Sequence, residues 1–216
     1  MSKKFTTLAL VCALAVPSAF AQFSVPKLGA LTGGDSGSSA AGNEAGQQDA
    51  LVRAYVAANK DVLIAQSRMA EAVGLKERAA QLKSTADALG DGATKGNLSD
   101  ADKIQSDSSK EISARLNDGN LQMDEKSKKL YSSGMASLGT GVIKYVALRS
   151  PISNFANTIK ASPLLAATKL NAGAYIVTNF PGNAKNVYDT LGYTTAYAKS
   201  HDIPVPSDAT KALKEF

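Results

Sequence analysis
An all-α helical bundle, with long antiparallel helices in the N-terminal and central parts and shorter ones toward the C-terminus, is predicted by three features of this sequence. Apolar residues return at steps of three, four and seven over long stretches, which puts them on one face of a helix. Breaks rich in Gly, Pro and Asn separate those stretches. No segment alternates apolar and polar residues beyond fragments such as Tyr175-Ile176-Val177, and no internal repeat is present. With 216 residues, 44% of them hydrophobic and 20% charged, and a mean hydropathy of −0.12, the chain holds enough apolar material for one core. That balance argues against wholesale disorder and against a multi-span membrane protein.

Taken in order, residues 44–89 contain no proline and carry Leu51, Tyr55, Ala58, Val62, Met69 and Val73 on one helical face. Gly74 is expected to divide this stretch into a helix of about 30 residues and a second one bearing Leu75, Ala79, Leu82, Ala86 and Leu89. Gly90, Gly92 and Gly96 predict a turn over 90–98, with Ser99 capping the next helix three residues before Asp102. That helix, 100–116, shows a thin stripe of Ile104, Ser108, Ile112 and Leu116 and stops at Asn117-Asp118-Gly119-Asn120. A long helix is expected from about Leu121 to Leu148, ended by Pro151. A short helix with Ile152, Phe155 and Ile159 should follow, then an apolar helix opened by Ser162-Pro163 and running through Phe180. Pro181-Gly182 reads as a turn, Asn183 as the cap of a helix bearing Val187, Tyr188, Leu191 and Ala198, and Ser207 as the start of a short final helix.

The N-terminus has the layout of a secretory signal peptide over residues 1–21. Lys3 and Lys4 precede an apolar run from Leu8 to Val16, then Pro17 and the small-residue ending Ala19-Phe20-Ala21, after which cleavage is expected. The run is shorter than the roughly 20 residues of a membrane span. Cys12 lies inside it rather than just beyond it, which disfavours a lipid anchor. Cleavage would remove Cys12, the one cysteine, and with it any disulfide or thiol chemistry. The expected location is the periplasm first and the extracellular space second. Residues 22–43 read as a flexible Gly/Ser-rich leader and 44–216 as a single helical domain.

Patterns that carry chemistry are incomplete throughout. Gly134 to Gly141 in GMASLGTG has the glycine spacing of a phosphate loop but lacks the lysine that must follow. Ser133, Gly134, Ser137 and Gly141 instead form a small-residue stripe suited to close helix contact. One histidine, His201, supplies neither a metal set nor the Glu-x-x-His pairs of helical di-iron bundles. Asp118, Asn120, Gln122 and Asp124 resemble a calcium loop only loosely, with Lys129 where the acidic twelfth ligand belongs. No serine sits in a Gly-x-Ser-x-Gly context. The carboxylate pairs Asp100/Asp102 and Asp124/Glu125 fall at expected helix starts, where the helix dipole favours negative charge. No catalytic residue, cofactor or metal ligand is therefore expected, and a carboxylate-based hydrolase stands as a remote alternative.

Charge is divided unevenly. Residues 22–125 carry 11 basic and 15 acidic side chains, whereas 126–216 carry 11 and 4, a net +7. Such a field attracts lipid head groups, lipopolysaccharide phosphates or acidic glycan, unless the two halves simply neutralise each other across the bundle. The basic half is also rich in tyrosine, whose flat ring and hydroxyl suit a ligand surface. Lys144, Arg149, Lys185, Tyr188, Tyr193 and Tyr197 are the candidate binding residues. The leading expectation is a non-enzymatic exported bundle that binds an anionic cell-envelope component, with nucleic acid a poor partner and no transmembrane span. Two alternatives are a protein-interaction or structural module, marked by an uncovered apolar face on 51–73, and a membrane-active bundle that releases Met135 to Leu148.

Overall fold
The computed structural model describes residues 40–161 and 163–216, so the expected signal peptide and the leader up to residue 39 lie outside the described residues. The helices are α1 (Ala40–Ala72), α2 (Lys76–Ala88), α3 (Lys95–Leu116), α4 (Glu125–Ala161), α5 (Pro163–Thr168), α6 (Asn171–Ser200) and α7 (Ser207–Glu215). An all-α bundle built around long helices is what forms.

Contacts between named residues give each helix its direction. Gln47, Tyr55, Val62 and Met69 of α1 meet Thr158, Tyr145, Gly141 and Gly134 of α4, so the two longest helices run antiparallel. Tyr55 of α1 and Asp102 of α3 both meet Asn183 of α6, while Gln48 reaches Gly173 and Ser109 reaches Thr190, so α1, α3 and α6 run the same way. The shorter α2 returns against α1 and α3 through Ser67 on Ala79 and Arg78 on Glu111. α7 lies along α4 and back against α6, with Gly139 at Asp208 and Tyr188 on Phe216. Six helices therefore alternate up and down, with the one-turn α5 bridging α4 and α6.

The core is filled from every side. Tyr55, Val62, Leu63 and Met69 of α1, Leu82 of α2, Leu98 and Ile112 of α3, Met135, Leu138 and Tyr145 of α4, and Ile176 and Leu191 of α6 are all fully buried. The small-residue stripe acts as expected: a side chain on Gly134 would lie 2.6 Å from Met69 Cγ, and one on Gly141 2.8 Å from Val62 Cγ2. Backbones of α1 and α4 approach closely there, and Arg68 donates to Ser137 Oγ at 2.6 Å.

Several local expectations need correction. α4 continues through Pro151 to Ala161, and α6 continues through Pro181 and Gly182 from Asn171 to Ser200. A proline inside a helix costs about 3 kcal/mol, but buried residues stand on both sides of each one. Leu148, Ile152 and Phe155 flank the first, and Phe180 and Ala184 the second. Each large buried side chain contributes about 1.5–3 kcal/mol, which offsets the break. α3 starts at Lys95, not after Ser99, because Thr94 and Asn97 form a reciprocal capping box. α4 starts at Glu125 rather than Leu121, with Asp124 accepting from Ser127 N at 2.7 Å. The apolar helix expected from Pro163 through Phe180 divides after Thr168, and α1 begins at Ala40, four residues before the expected domain start.

Gly74 breaks the first stretch as expected, with φ +87°. Leu75 N bonds Ala70 O and Gly74 N bonds Glu71 O, the paired bonds of a left-handed helix stop. α6 ends in a similar way with Asp202 in the left-handed position, φ 53°, and Ile203 N on Ala198 O at 3.0 Å.

Candidate functional site
The six candidate residues fall in four places. Lys144 turns toward α1 and pairs with Asp61 at 2.5 Å. Arg149 and Tyr188 meet through α7: the Phe216 ring stacks on Tyr188, centroids 4.4 Å apart, and the Arg149 guanidinium lies 4.5 Å above the same ring. Lys185 is exposed on α6 and pairs with Asp189. Tyr193 and Tyr197 share a groove of about 480 Å³ with Ser113 and Leu116 of α3, with Asn117 just beyond it and with His201.

Most tyrosines of the basic half are committed inward. Tyr193 donates to Ser109 O at 2.7 Å, and burial pushes its hydroxyl up to about 12. Tyr131 donates to Thr194 O and Tyr175 to Asp102. Tyr197 stacks on His201, ring centroids 3.8 Å apart, and His201 is held by the Tyr197 carbonyl and Ser200. The tyrosines thus shape the bundle from within more than they line its outside.

Charge has a simpler geometry. α4, α6 and α7 pack on one another and carry the basic half, while α4 also packs along α1, and α6 along α1 and α3. Among the described residues one ion pair crosses between the 40–125 and 126–216 segments away from their junction, Lys144 with Asp61; Lys128 meets Glu125 at the junction itself. The remaining pairs lie within one segment, as Arg78 with Glu111 or Lys185 with Asp189. Mutual neutralisation is therefore slight, and Lys126, Lys129, Lys160, Lys169, Lys199 and Lys214 remain exposed.

A second constellation is buried. Asp102, read from sequence as a helix-start carboxylate beside Asp100, is 5% exposed and lies on the inner face of α3. Its carboxylate accepts from Tyr55 Oη at 3.0 Å, Asn59 Nδ2 at 2.9 Å, Tyr175 Oη at 2.8 Å and Asn183 Nδ2 at 2.6 Å. Tyr145 Oη donates to Asn59 Oδ1 and fixes which way that amide faces. Two helices, α1 and α6, thus donate directly to one carboxylate on α3, and α4 supports it through Tyr145. Burial pushes the Asp102 carboxyl above the ordinary aspartate range, opposed by the hydrogen bonds from Asn59, Tyr175, Tyr55 and Asn183. Its acceptor directions are taken by protein donors, so it ties helices together instead of presenting an acid to a ligand.

A weaker polar seam continues along α3. Gln66 donates to Ser109 Oγ at 2.8 Å, Ser109 meets Asn186 and Thr190, and Gln105 is buried beside them. The signal for all of this is the register Leu98, Asp102, Gln105, Ser109, Ile112 and Leu116, which places polar residues on the same face as apolar ones.

Other candidates do not converge. Asp124 caps α4, and the Ser127 backbone N–H holds its carboxyl below the ordinary range. Among the described residues no group of three or more His, Cys, Asp or Glu side chains gathers to hold a metal ion. No described helix is long and apolar enough to cross a membrane, and Met135, Leu138, Val142, Tyr145 and Leu148 are buried in the bundle.

Fold and charge together define a class: an up-and-down helical bundle with a polar tie at its centre and an excess of basic over acidic residues in its α4, α6 and α7 segments. Beyond that class, no protein-family model, curated protein or solved structure matches the chain.

Proposed function
We propose that this chain is an exported helical bundle that acts without catalysis, binding an anionic component of the cell envelope through the lysines of α4, α6 and α7. The observation that supports this reading is the set of exposed lysines on that side, left without acidic partners from α1 to α3. Such a surface draws anions from a distance and releases them as salt rises. The alternative in which the long helices pair with another chain needs an uncovered apolar face. Residues Leu51 to Val73 give up that face to the bundle.

Vesicle sedimentation tests the reading directly. The purified exported protein should pellet with vesicles containing phosphatidylglycerol and not with phosphatidylcholine alone. Binding should vanish near 1 M salt, where the screening length is about 3 Å. Exchanging Lys126, Lys129 and Lys199 for Glu should weaken binding by at least about fivefold per site, because a lysine near an anionic surface contributes about 1 kcal/mol. Equal pelleting of this variant and the parent protein would overturn the assignment of the surface. Release of a dye trapped in the vesicles would favour a membrane-active bundle instead.

A further inference from the structure
We infer that the groove between the C-terminal ends of α3 and α6 is a sugar site, which takes one pyranose ring of a neutral glycan against the His201–Tyr197 stack. It uses none of the lysines on which the reading above stands. The groove holds about 480 Å³, within the roughly 300–1,000 Å³ of small-molecule clefts.

The lining argues for an uncharged, polar ligand. Among the described residues no Asp, Glu, Lys or Arg side chain lines the groove. α3 and α6 run the same way, so both present to it the negative, carbonyl-rich end of a helix. Such ends repel an anion and accept from hydroxyl groups. Of the lining side chains only Leu116 and Ala196 lack both a polar atom and an aromatic ring, too little to cover an acyl chain.

The stop of α6 builds the platform. Asp202 in the left-handed position and the bond from Ile203 N to Ala198 O turn the chain back on itself. His201 Nδ1 then bonds the Tyr197 carbonyl at 2.9 Å, and the imidazole lies on the Tyr197 ring at an interplanar angle of 15°. His201 is exposed, so its other face is open to solvent. The C–H groups of a pyranose carry the partial positive charge that an aromatic face attracts. Because a carbonyl only accepts, Nδ1 carries the imidazole hydrogen, which leaves Nε2 to accept from a sugar hydroxyl. The same assignment leaves Ser200, 3.0 Å from Nδ1 and donating to Tyr197 O, without a base to activate it.

Hydrogen-bonding groups stand at the rim. Among the described residues nothing bonds the Asn117 side-chain amide or the hydroxyls of Ser113 and Tyr197. Amide and hydroxyls offer donors and acceptors side by side, as neighbouring sugar hydroxyls require. The walls are fixed: Tyr193 donates to Ser109 O at 2.7 Å, and Arg115 ties the end of α3 to Val73 O at 3.2 Å. A groove formed in advance loses little to ordering when it is filled.

An NMR titration of the 15N-labelled protein with maltotriose and with tri-N-acetylchitotriose tests the site. One ring held by a few hydrogen bonds binds with a Kd of about 1 mM. At least one of the two sugars should shift the side-chain amide of Asn117 and the backbone amides of Ala196 and His201, and leave those of α2 in place. Asn117→Ala and His201→Ala alter exposed side chains, so both should melt close to the parent temperature while binding about three- to tenfold more weakly. His201→Phe restores a flat face and should recover part of that loss. If neither sugar moves these signals at about 10 mM, or if both alanine variants bind as the parent does, the inference falls and the lysine reading stands untouched. Equal shifts produced by inorganic phosphate would make the groove an anion site and overturn the inference as well.

Discussion
Asp102 is held at the centre of the bundle without a cation. A buried carboxylate is tolerated when donors replace its water, and two tyrosines and two asparagines do so here. Burial still outweighs those bonds, so the folded-state pKa lies above the ordinary 3.8. Between the two values the folded protein keeps a proton that the unfolded chain has released. This residue's contribution to stability is therefore fully present below the unfolded value and is lost as pH rises through the folded one. Urea midpoints followed upward from about pH 3 should contain that decline in the parent protein, and Asp102→Asn should flatten it. Profiles of identical shape would assign the proton uptake to another group.

Among the elements, α7 is seated on α4 where a side chain is missing, as α1 is at Gly134 and Gly141. A Cβ on Gly139 would lie 2.7 Å from the carbonyl carbon and oxygen of Asp208 and 2.8 Å from Ala209 N, all of them backbone atoms that cannot rotate away. Gly139→Ala should destabilise the protein by about 1–3 kcal/mol, the usual cost of overpacking, and speed amide exchange in α7 before other helices. Gly192 has open space where its Cβ would stand. Gly192→Ala should instead stabilise the protein by up to about 1 kcal/mol through helix propensity. Thermal melts and hydrogen exchange on the two variants check both signs, and similar destabilisation by each would mean that propensity, not contact with α7, governs these positions.

At the scale of the whole bundle, the described residues leave no large apolar face for a second copy, since Leu51, Val62, Met69 and their neighbours are all covered within one chain. Native mass spectrometry of the purified protein should therefore show a monomer over the micromolar range. A stable dimer there would make the long helices, rather than the lysine surface, the place to look for function. The helical period, the stop at Gly74 and the contact stripe at Gly134 and Gly141 were legible from residue order, because a 3.6-residue repeat and a positive φ are local properties of the chain. Pro151 and Pro181 misled for the complementary reason. Their local cost is real, but burial of Phe155, Phe180 and Ala184 against other helices exceeds it, and that burial cannot be seen along one segment. Asp102 read as a helix-start carboxylate until Tyr55, Asn59, Tyr175 and Asn183 were brought around it from positions 43 to 81 residues away. The basic character of residues 126–216 could be counted directly, whereas which of those cations meet acids of α1 to α3, as Lys144 meets Asp61, depends on how the helices pack, because charge follows residue identity but its pairing follows distance.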